Sequence, residues 1–278
     1  MISSKQRTVL EILELTGPID EWRLIRLLFL VRQTIPETDR SRSFDFVPYI
    51  FGPYSYELVN KLFYLERNNL IKVNRKLVCI IKANASIRDP EPSCISEIIE
   101  LYERTSDEDL LTKIITDYPE YSIFSKITDK MDYIRDRTGI MTLGYEGYSI
   151  DAFMKRLIDE KVQDLIDIRN NPWSMKYGFT RDALISICFD MKIRYRNIPS
   201  LGIPSGKRKR VRTKSDTDAL FREFQGFLKE QTVRLKSIID LGKERRIALM
   251  CFERDPLLCH RSIVAEALIG LGAKVELK

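Results

Sequence analysis

From residue 140 onward, short apolar β-prone runs alternate with stretches of helical period, and this alternation narrows the second half of the chain to one kind of fold. Residues 140–143, 164–168 and 193–198 read as strands. Ser149 and Thr180 stand as helix caps before segments running to Ile158 and Met191. A long amphipathic helix is predicted over 219–241, followed by the apolar run 247–252, a helix near 262–268 and the segment Lys274-Val275-Glu276-Leu277. Strands separated by helices pair in parallel, because each crossover carries the chain back to the same end of the sheet. The expected class is α/β: a largely parallel sheet with helices on both faces, and binding groups gathered beyond the carboxyl ends of the strands.

The first half has a different rhythm. Leu10, Leu13, Ile25, Leu28, Phe29 and Val31 recur at helical spacings in two segments broken by Thr16-Gly17-Pro18, with Asp20 placed to cap the second. Gly52-Pro53-Tyr54-Ser55 punctuates a loop before a third helix carrying Leu58, Leu62, Phe63 and Leu65. Two β-prone runs, 70–73 and 77–81, flank the basic turn Asn74-Arg75-Lys76. Helices followed by a hairpin predict a helical, winged-helix-like recognition domain over residues 1–135. The α/β domain takes 140–278, and a charged helical segment is expected just before Gly139. A length of 278 residues suits two domains, each with its own core.

Phe51-Gly52-Pro53-Tyr54-Ser55-Tyr56-Glu57-Leu58, together with Tyr118-Pro119-Glu120-Tyr121, resembles the Panacea, or SocA-like antitoxin, domain over residues 5–135. That resemblance implies an interaction module. Glycine and proline in the motif also have a structural reading, since they end a loop and set the entry angle of the next helix.

Composition limits the setting. The chain has 44% hydrophobic and 31% charged residues, and no stretch approaches the roughly 18–20 apolar residues of a membrane span. No membrane partner and a cytoplasmic location are expected, because the N-terminus leads into a charged helical pattern without a signal-peptide core. Five scattered cysteines, an odd number, argue against a disulfide framework. The net charge of +6 is unevenly divided, at −2 for residues 1–139 and +8 beyond. Lys207, Arg208, Lys209, Arg210, Arg212 and Lys214 form the densest basic cluster and are the expected nucleic-acid-binding residues, with salt-sensitive affinity. A solvated loop is the alternative reading of the same cluster.

Three strand ends carry unusual chemistry: Gly144-Tyr145-Glu146-Gly147, Asp167-Ile168-Arg169-Asn170-Asn171-Pro172, and Cys251-Phe252-Glu253-Arg254-Asp255-Pro256-Leu257-Leu258-Cys259-His260-Arg261. With Leu201-Gly202 they resemble the family catalogued as domain of unknown function 488, over roughly residues 140–270. The resemblance implies an α/β domain with a shared polar pocket and supplies no reaction.

The side chains themselves define candidate roles. His260, the only histidine, would carry any imidazole chemistry, or would instead brace its loop by bonding backbone. Asp167 and Glu253 are candidates for handling water, and Cys259, near a helix N-terminus, is a candidate nucleophile. Asp167 paired with Arg169 is equally a structural ion pair. Glu146, Arg169, Arg254 and Arg261 are candidate substrate contacts, with Tyr145 and Trp173 available to stack on a base or to close the core. Cys251 reads as an ordinary buried thiol. A structural zinc is disfavoured, because adjacent Cys259 and His260 diverge in most backbones and no second Cys or His pair follows. No metal and no cofactor are expected, and no phosphate-cradling glycine loop is present.

The leading functional expectation is a nucleic-acid-processing enzyme, a hydrolase releasing a modified base from DNA in the manner of a glycosylase. The alternative is a non-enzymatic, defence-associated or regulatory protein that binds DNA or a protein partner through its first domain and a nucleotide-like ligand in the pocket.

Overall fold

The computed structural model describes residues 2–74, 77–81, 94–208 and 212–278. The chain divides into two compact units, Met1–Tyr133 and Ile134–Lys278.

In the first unit, α1 (Ser4–Thr16) is opened by a capping box between Ser3 and Gln6 and leads through β1 (Ile19–Asp20) to α2 (Glu21–Thr34). Asp20 caps α2 by accepting from the backbone N–H groups of Trp22 (2.8 Å) and Arg23 (3.3 Å), as its position predicts. Then come β2 (Val47–Tyr49), β3 (Gly52–Tyr54), α3 (Tyr56–Arg67), β4 (Ile71–Asn74), β5 (Leu77–Ile80), α4 (Cys94–Tyr102) and α5 (Asp107–Asp117). Strand β5 lies between β1 and β4 in an antiparallel sheet, which gives the helix–strand–helix–helix–hairpin order of a winged helix. Leu10, Ile25, Leu28, Phe29, Leu58, Leu62 and Leu65 are all buried in one core.

Three local expectations need correction. Gly52-Pro53-Tyr54 is a short strand paired with β2 rather than loop punctuation. Phe63 is 57% exposed, since its step of one residue from Leu62 turns it off the buried face of α3. No helix precedes Gly139; the chain is irregular over 127–138. There the hydroxyl of Ser125 takes the N–H groups of Ile127 and Thr128, and that of Ser122 takes Met131 N–H, so side chains satisfy donors that a helix would need. Arg75 and Lys76 lie outside the described residues.

The second unit is α/β, as the alternation predicts. Its elements are β6 (Gly139–Gly144), α6 (Ile150–Asp159), β7 (Asp164–Asp167), α7 (Arg181–Asp190), β8 (Arg194–Asn197), α8 (Ser205–Arg208), α9 (Lys214–Leu228), α10 (Thr232–Glu244), β9 (Arg246–Cys251), α11 (His260–Gly270) and β10 (Val275–Leu277). The sheet order is β10-β6-β9-β7-β8, and every pairing is parallel. All six residues of β9 are buried, as befits a central strand covered on both faces. Side chains alternate across the sheet. Ile140, Ile166, Ile247, Leu249 and Cys251 join Leu228, Leu235, Ile238, Val264 and Leu268 of α9, α10 and α11 in one cluster. The intervening Met141, Leu143, Leu165, Ala248 and Met250 are equally buried on the opposite face, the side of α6 and α7. Each buried Leu, Ile or Met side chain among them contributes roughly 1.5–3 kcal/mol by leaving water.

Ser149 caps α6 through Ala152 N–H, whereas Thr180 precedes α7 without a side-chain bond. The single helix expected over 219–241 is two, divided by a turn of 3₁₀ helix at Lys229–Gln231, where the Thr232 hydroxyl bonds back to the Lys229 carbonyl. The first of the two starts early, at Lys214, because Thr213 and Asp216 form a capping box. No helix among the described residues is long and apolar enough to cross a membrane.

The edge strand β10 is fastened by charge. Arg246, 2% exposed in its side chain, makes two 2.7 Å bonds to Glu276, and Glu160 receives Arg137, Arg156 and Lys278 within 3.4 Å. Burial raises the Glu160 carboxyl, but Lys278 and Arg156 more than offset it and hold it below its ordinary range; the Arg246 bond does the same for Glu276. A depressed folded-state pKa stabilises above the unfolded carboxylate value of about 4.4 and is lost as pH falls through the folded one. The unit is therefore expected to lose urea resistance below about pH 4.4, and Glu160→Gln/Glu276→Gln is expected to flatten that acid limb. A variant with the wild-type pH slope would contradict this.

Candidate functional site

Strands β6, β9 and β7 are neighbours, so the ends at Gly144, Cys251 and Asp167 open on one edge of the sheet. Two glycines let the backbone segments there approach. A Cβ at Gly144 would lie 1.8 Å from the Glu253 carbonyl oxygen, and one at Gly202 would lie 2.3 Å from Asn170 N and 2.4 Å from the Ile168 oxygen. Neither position has room for a side chain, which gives the glycines of Gly144-Tyr145-Glu146-Gly147 and Leu201-Gly202 at these two places a physical reason.

On the α11 face, the Cys251 and Cys259 sulfurs and a ring nitrogen of His260 lie within 4.8 Å of one another. Cys251 Sγ is 3.6 Å from His260 Nδ1, and Cys259 Sγ is 4.0 Å from the same atom. The divergence expected for adjacent Cys259 and His260 does not occur. Cys259 is the extended N-cap residue of α11 and His260 its first helical residue, so the backbone turns between them and their donors converge on Cys251. His260 Nε2 sits 3.2 Å from the Ile168 carbonyl, tying α11 to the end of β7. The three side chains are buried, at 0, 1 and 2% exposure. The Glu253 carboxylate is 3.4 Å from Cys251 Sγ. A hydrogen bond from Cys259 brings the Cys251 thiol down to about 5 against the opposing effect of burial, with His260 assisting, while burial and the neighbouring Cys251 push Cys259 up.

Asp167 belongs to the opposite face, because it alternates with Ile166 and Ile168 of the α11-side cluster. Its carboxylate takes Arg169 Nε and Nη2 (2.9 and 2.6 Å) and the Tyr195 hydroxyl (2.7 Å). Arg169 Nη1 reaches the Tyr145 hydroxyl and the Phe179 carbonyl. Burial works against the Arg169 charge, but Asp167 outweighs it and raises the guanidinium; burial and Asp167 both raise the Tyr195 phenol. This network commits the two charged groups to each other. Asp167 and Arg169 thus form the internal ion pair of the structural reading, on the face away from His260, and the single pocket expected to join them to Glu253, Cys259, His260 and Arg261 divides in two.

Other expected contacts fall in different places. Tyr145 is 3% exposed and stacked on Phe179 at 4.2 Å, so it closes the core rather than awaiting a base. Arg261, fully buried, donates to the carbonyls of Glu253, Arg254 and Lys278, which makes it a brace for the loop after β9 in place of an anion-binding group. Glu146 accepts the Arg254 backbone N–H at 2.9 Å and clamps the same loop, whose Arg254 side chain is exposed. Trp173 is 65% exposed on the loop after β7. Of the basic cluster, Lys207 pairs with Glu223, while Arg212 and Lys214 are exposed at the start of α9. Lys209, Arg210 and the Arg208 side chain lie outside the described residues.

A cavity of about 200 Å³ opens beside the cysteine–histidine cluster, lined by Asn170, Ser200, Gly202, Lys207, Phe224 and Phe227 among others. Phe224 is the partition: its ring lines the cavity and meets His260 edge-on at 5.7 Å. Gly202 is a second link, since it abuts the Ile168 carbonyl that His260 contacts. The Ser200 hydroxyl is buried without a hydrogen-bond partner among the described residues. In the sequence Leu201-Gly202 stands out and Cys251 reads as a core thiol, whereas Phe224 carries only an amphipathic period and Ser200 no local signal.

Residues 149–268 match the family described as Domain of unknown function DUF488. No curated protein and no solved structure matches the chain.

Proposed function

We propose that the second unit is a hydrolase of nucleic acid that releases a base by cutting its bond to the sugar, at the edge where Glu253 and the cysteine–histidine cluster adjoin the cavity. The observation that carries this reading is the cavity itself. Phe224 and Phe227 offer aromatic surface, Asn170, Ser200 and Lys207 offer hydrogen-bonding groups, and one of these, the Ser200 hydroxyl, is buried and unsatisfied. A base drawn out of its stack needs apolar faces and a polar edge of this kind. A buried hydroxyl without a partner costs about 1–3 kcal/mol, which a ligand acceptor or donor would recover.

Asp167 is paired with Arg169 on the other face, and Glu253, beside the cysteine–histidine cluster, is the carboxylate that handles water. It takes a proton as the water oxygen bonds to the sugar carbon, while the carbon–nitrogen bond breaks and the base departs with the electron pair and acquires a proton. The basic surface at Arg212 and Lys214 supplies phosphate attraction. The first unit, with its winged-helix order and Panacea-like motif, recognises DNA or a protein partner, and the reading places the chain in the cytoplasm.

The test is mass-spectrometric detection of free bases and nucleosides after incubation with modified and unmodified DNA. Release that is lost in folded Glu253→Gln, by about 10²–10⁴-fold for a missing acid–base group, is the expected result. DNA binding with no released product under any of these conditions would overturn the hydrolase and move the chain to the non-enzymatic reading.

A further inference from the structure

The geometry points to a zinc site: we propose that Cys251 Sγ, Cys259 Sγ and His260 Nδ1 bind one Zn²⁺ ion between the end of β9 and the start of α11. This goes beyond the hydrolase reading and does not depend on it.

The donor spacing is the first ground. Zinc holds thiolate sulfur at about 2.3 Å and imidazole nitrogen at about 2.0–2.1 Å in a tetrahedron, which sets sulfur-to-nitrogen edges of roughly 3.5–3.6 Å. The edges here are 3.6 Å from Cys251 and 4.0 Å from Cys259 to His260 Nδ1, and all three donors fall within 4.8 Å. Cys251 Sγ also lies 3.9 Å from Nε2, so the set closes around an ion by a turn of the ring toward the sulfurs together with donor shifts of up to about 1 Å.

The second ground is the outer side of the histidine. A ligating imidazole characteristically gives its other N–H to a carbonyl or carboxylate, which fixes the tautomer and the ring plane. Nε2 is 3.2 Å from the Ile168 carbonyl, so its proton belongs there and Nδ1 is left as the lone-pair donor facing the sulfurs. Gly202 and Phe224 hold the carbonyl and the ring in that arrangement.

Charge is the third. Two thiolates and a neutral imidazole around Zn²⁺ leave no net charge on the ion and its three ligands, so burial of all three side chains at 2% exposure or less presents no obstacle. Glu253, half-buried and 3.4 Å from Cys251 Sγ, flanks the set, and a water completes the fourth position. The remaining thiols of the chain make no comparable group: among the described residues this is the one cluster with metal-ligand spacing.

The full chain, reduced and stripped with chelator, would be titrated with Co²⁺ and then with competing Zn²⁺. One ion per chain, a thiolate-to-cobalt charge-transfer band and displacement by zinc are expected. Cys259→Ser and His260→Asn are each expected to weaken binding at least 100-fold, while Cys79→Ser leaves it unchanged. If a ligand variant fails to fold by circular dichroism, the wild-type cobalt spectrum decides, because tetrahedral sulfur–nitrogen coordination has its own intense visible bands. A folded, reduced wild-type chain that takes up no stoichiometric cobalt or zinc, or a folded ligand variant that binds as tightly as wild type, would overturn the site. Base release assayed on the same samples keeps the two questions apart: stoichiometric zinc without turnover removes the hydrolase and leaves the metal site standing.

Discussion

Gly144→Ala is expected to destabilise the second unit by about 3 kcal/mol or more, at the top of the overpacking range. The added methyl would lie 1.8 Å from the Glu253 carbonyl oxygen and 2.6 Å from its carbon. Both are backbone atoms, so no rotamer change can make room. The loop after β9 would have to lift, and with it the carbonyls of Glu253 and Arg254 that the buried Arg261 guanidinium holds. Arg261 would then be left with unsatisfied donors, adding a desolvation cost to the steric one. Urea unfolding followed by a second-unit probe measures the effect, and a loss under about 1 kcal/mol would mean that the two strands separate more easily than their packing indicates.

Asp167→Asn is expected to cost about 3–5 kcal/mol, because it leaves a buried guanidinium without its counter-charge. Asp167 is fully buried, Arg169 is 5% exposed, and their bonds are reinforced by Tyr195 and Tyr145. The double variant Asp167→Asn/Arg169→Met is expected to recover part of that loss, since removing both charges removes the unpaired one as well. Paired urea transitions check this, with a double variant worse than the single as the contradicting outcome. The consequence for function is direct: activity lost on changing Asp167 would report a weakened domain and not missing chemistry.

Most of the α/β architecture is legible in the alternation of apolar runs with helical periods, because a central parallel strand such as β9 is apolar from Ile247 to Cys251 and the helix stretches carry their own period. The convergence of the three strand ends was legible for the same reason. Which face each end residue takes was also present in the pattern, though easily missed: Ile166 and Ile168 bracket Asp167, and a period of two must send the aspartate to the other side. What could not be read was the path of the chain after β9. That turn brings Cys259 and His260 back onto Cys251 and points Arg261 at backbone carbonyls, and it depends on the close approach of Gly144, which is a tertiary contact without any local signature. The break at Lys229–Gln231 is hidden because Phe224 and Leu228 before it and Leu235 and Ile238 after it keep one helical period. Ser200 and Phe224 acquire meaning only through the cavity they share.

In the proposed hydrolase the chemistry belongs to the α11 face and not to the Asp167–Arg169 face. The most direct measurement is turnover of released base by His260→Ala compared with Tyr195→Phe, each verified as folded. Tyr195→Phe removes one hydrogen bond to Asp167 and leaves the ion pair in place. The account predicts turnover near the wild-type value for Tyr195→Phe and a loss of at least 100-fold for His260→Ala. Full turnover in His260→Ala with turnover abolished in Tyr195→Phe would contradict it.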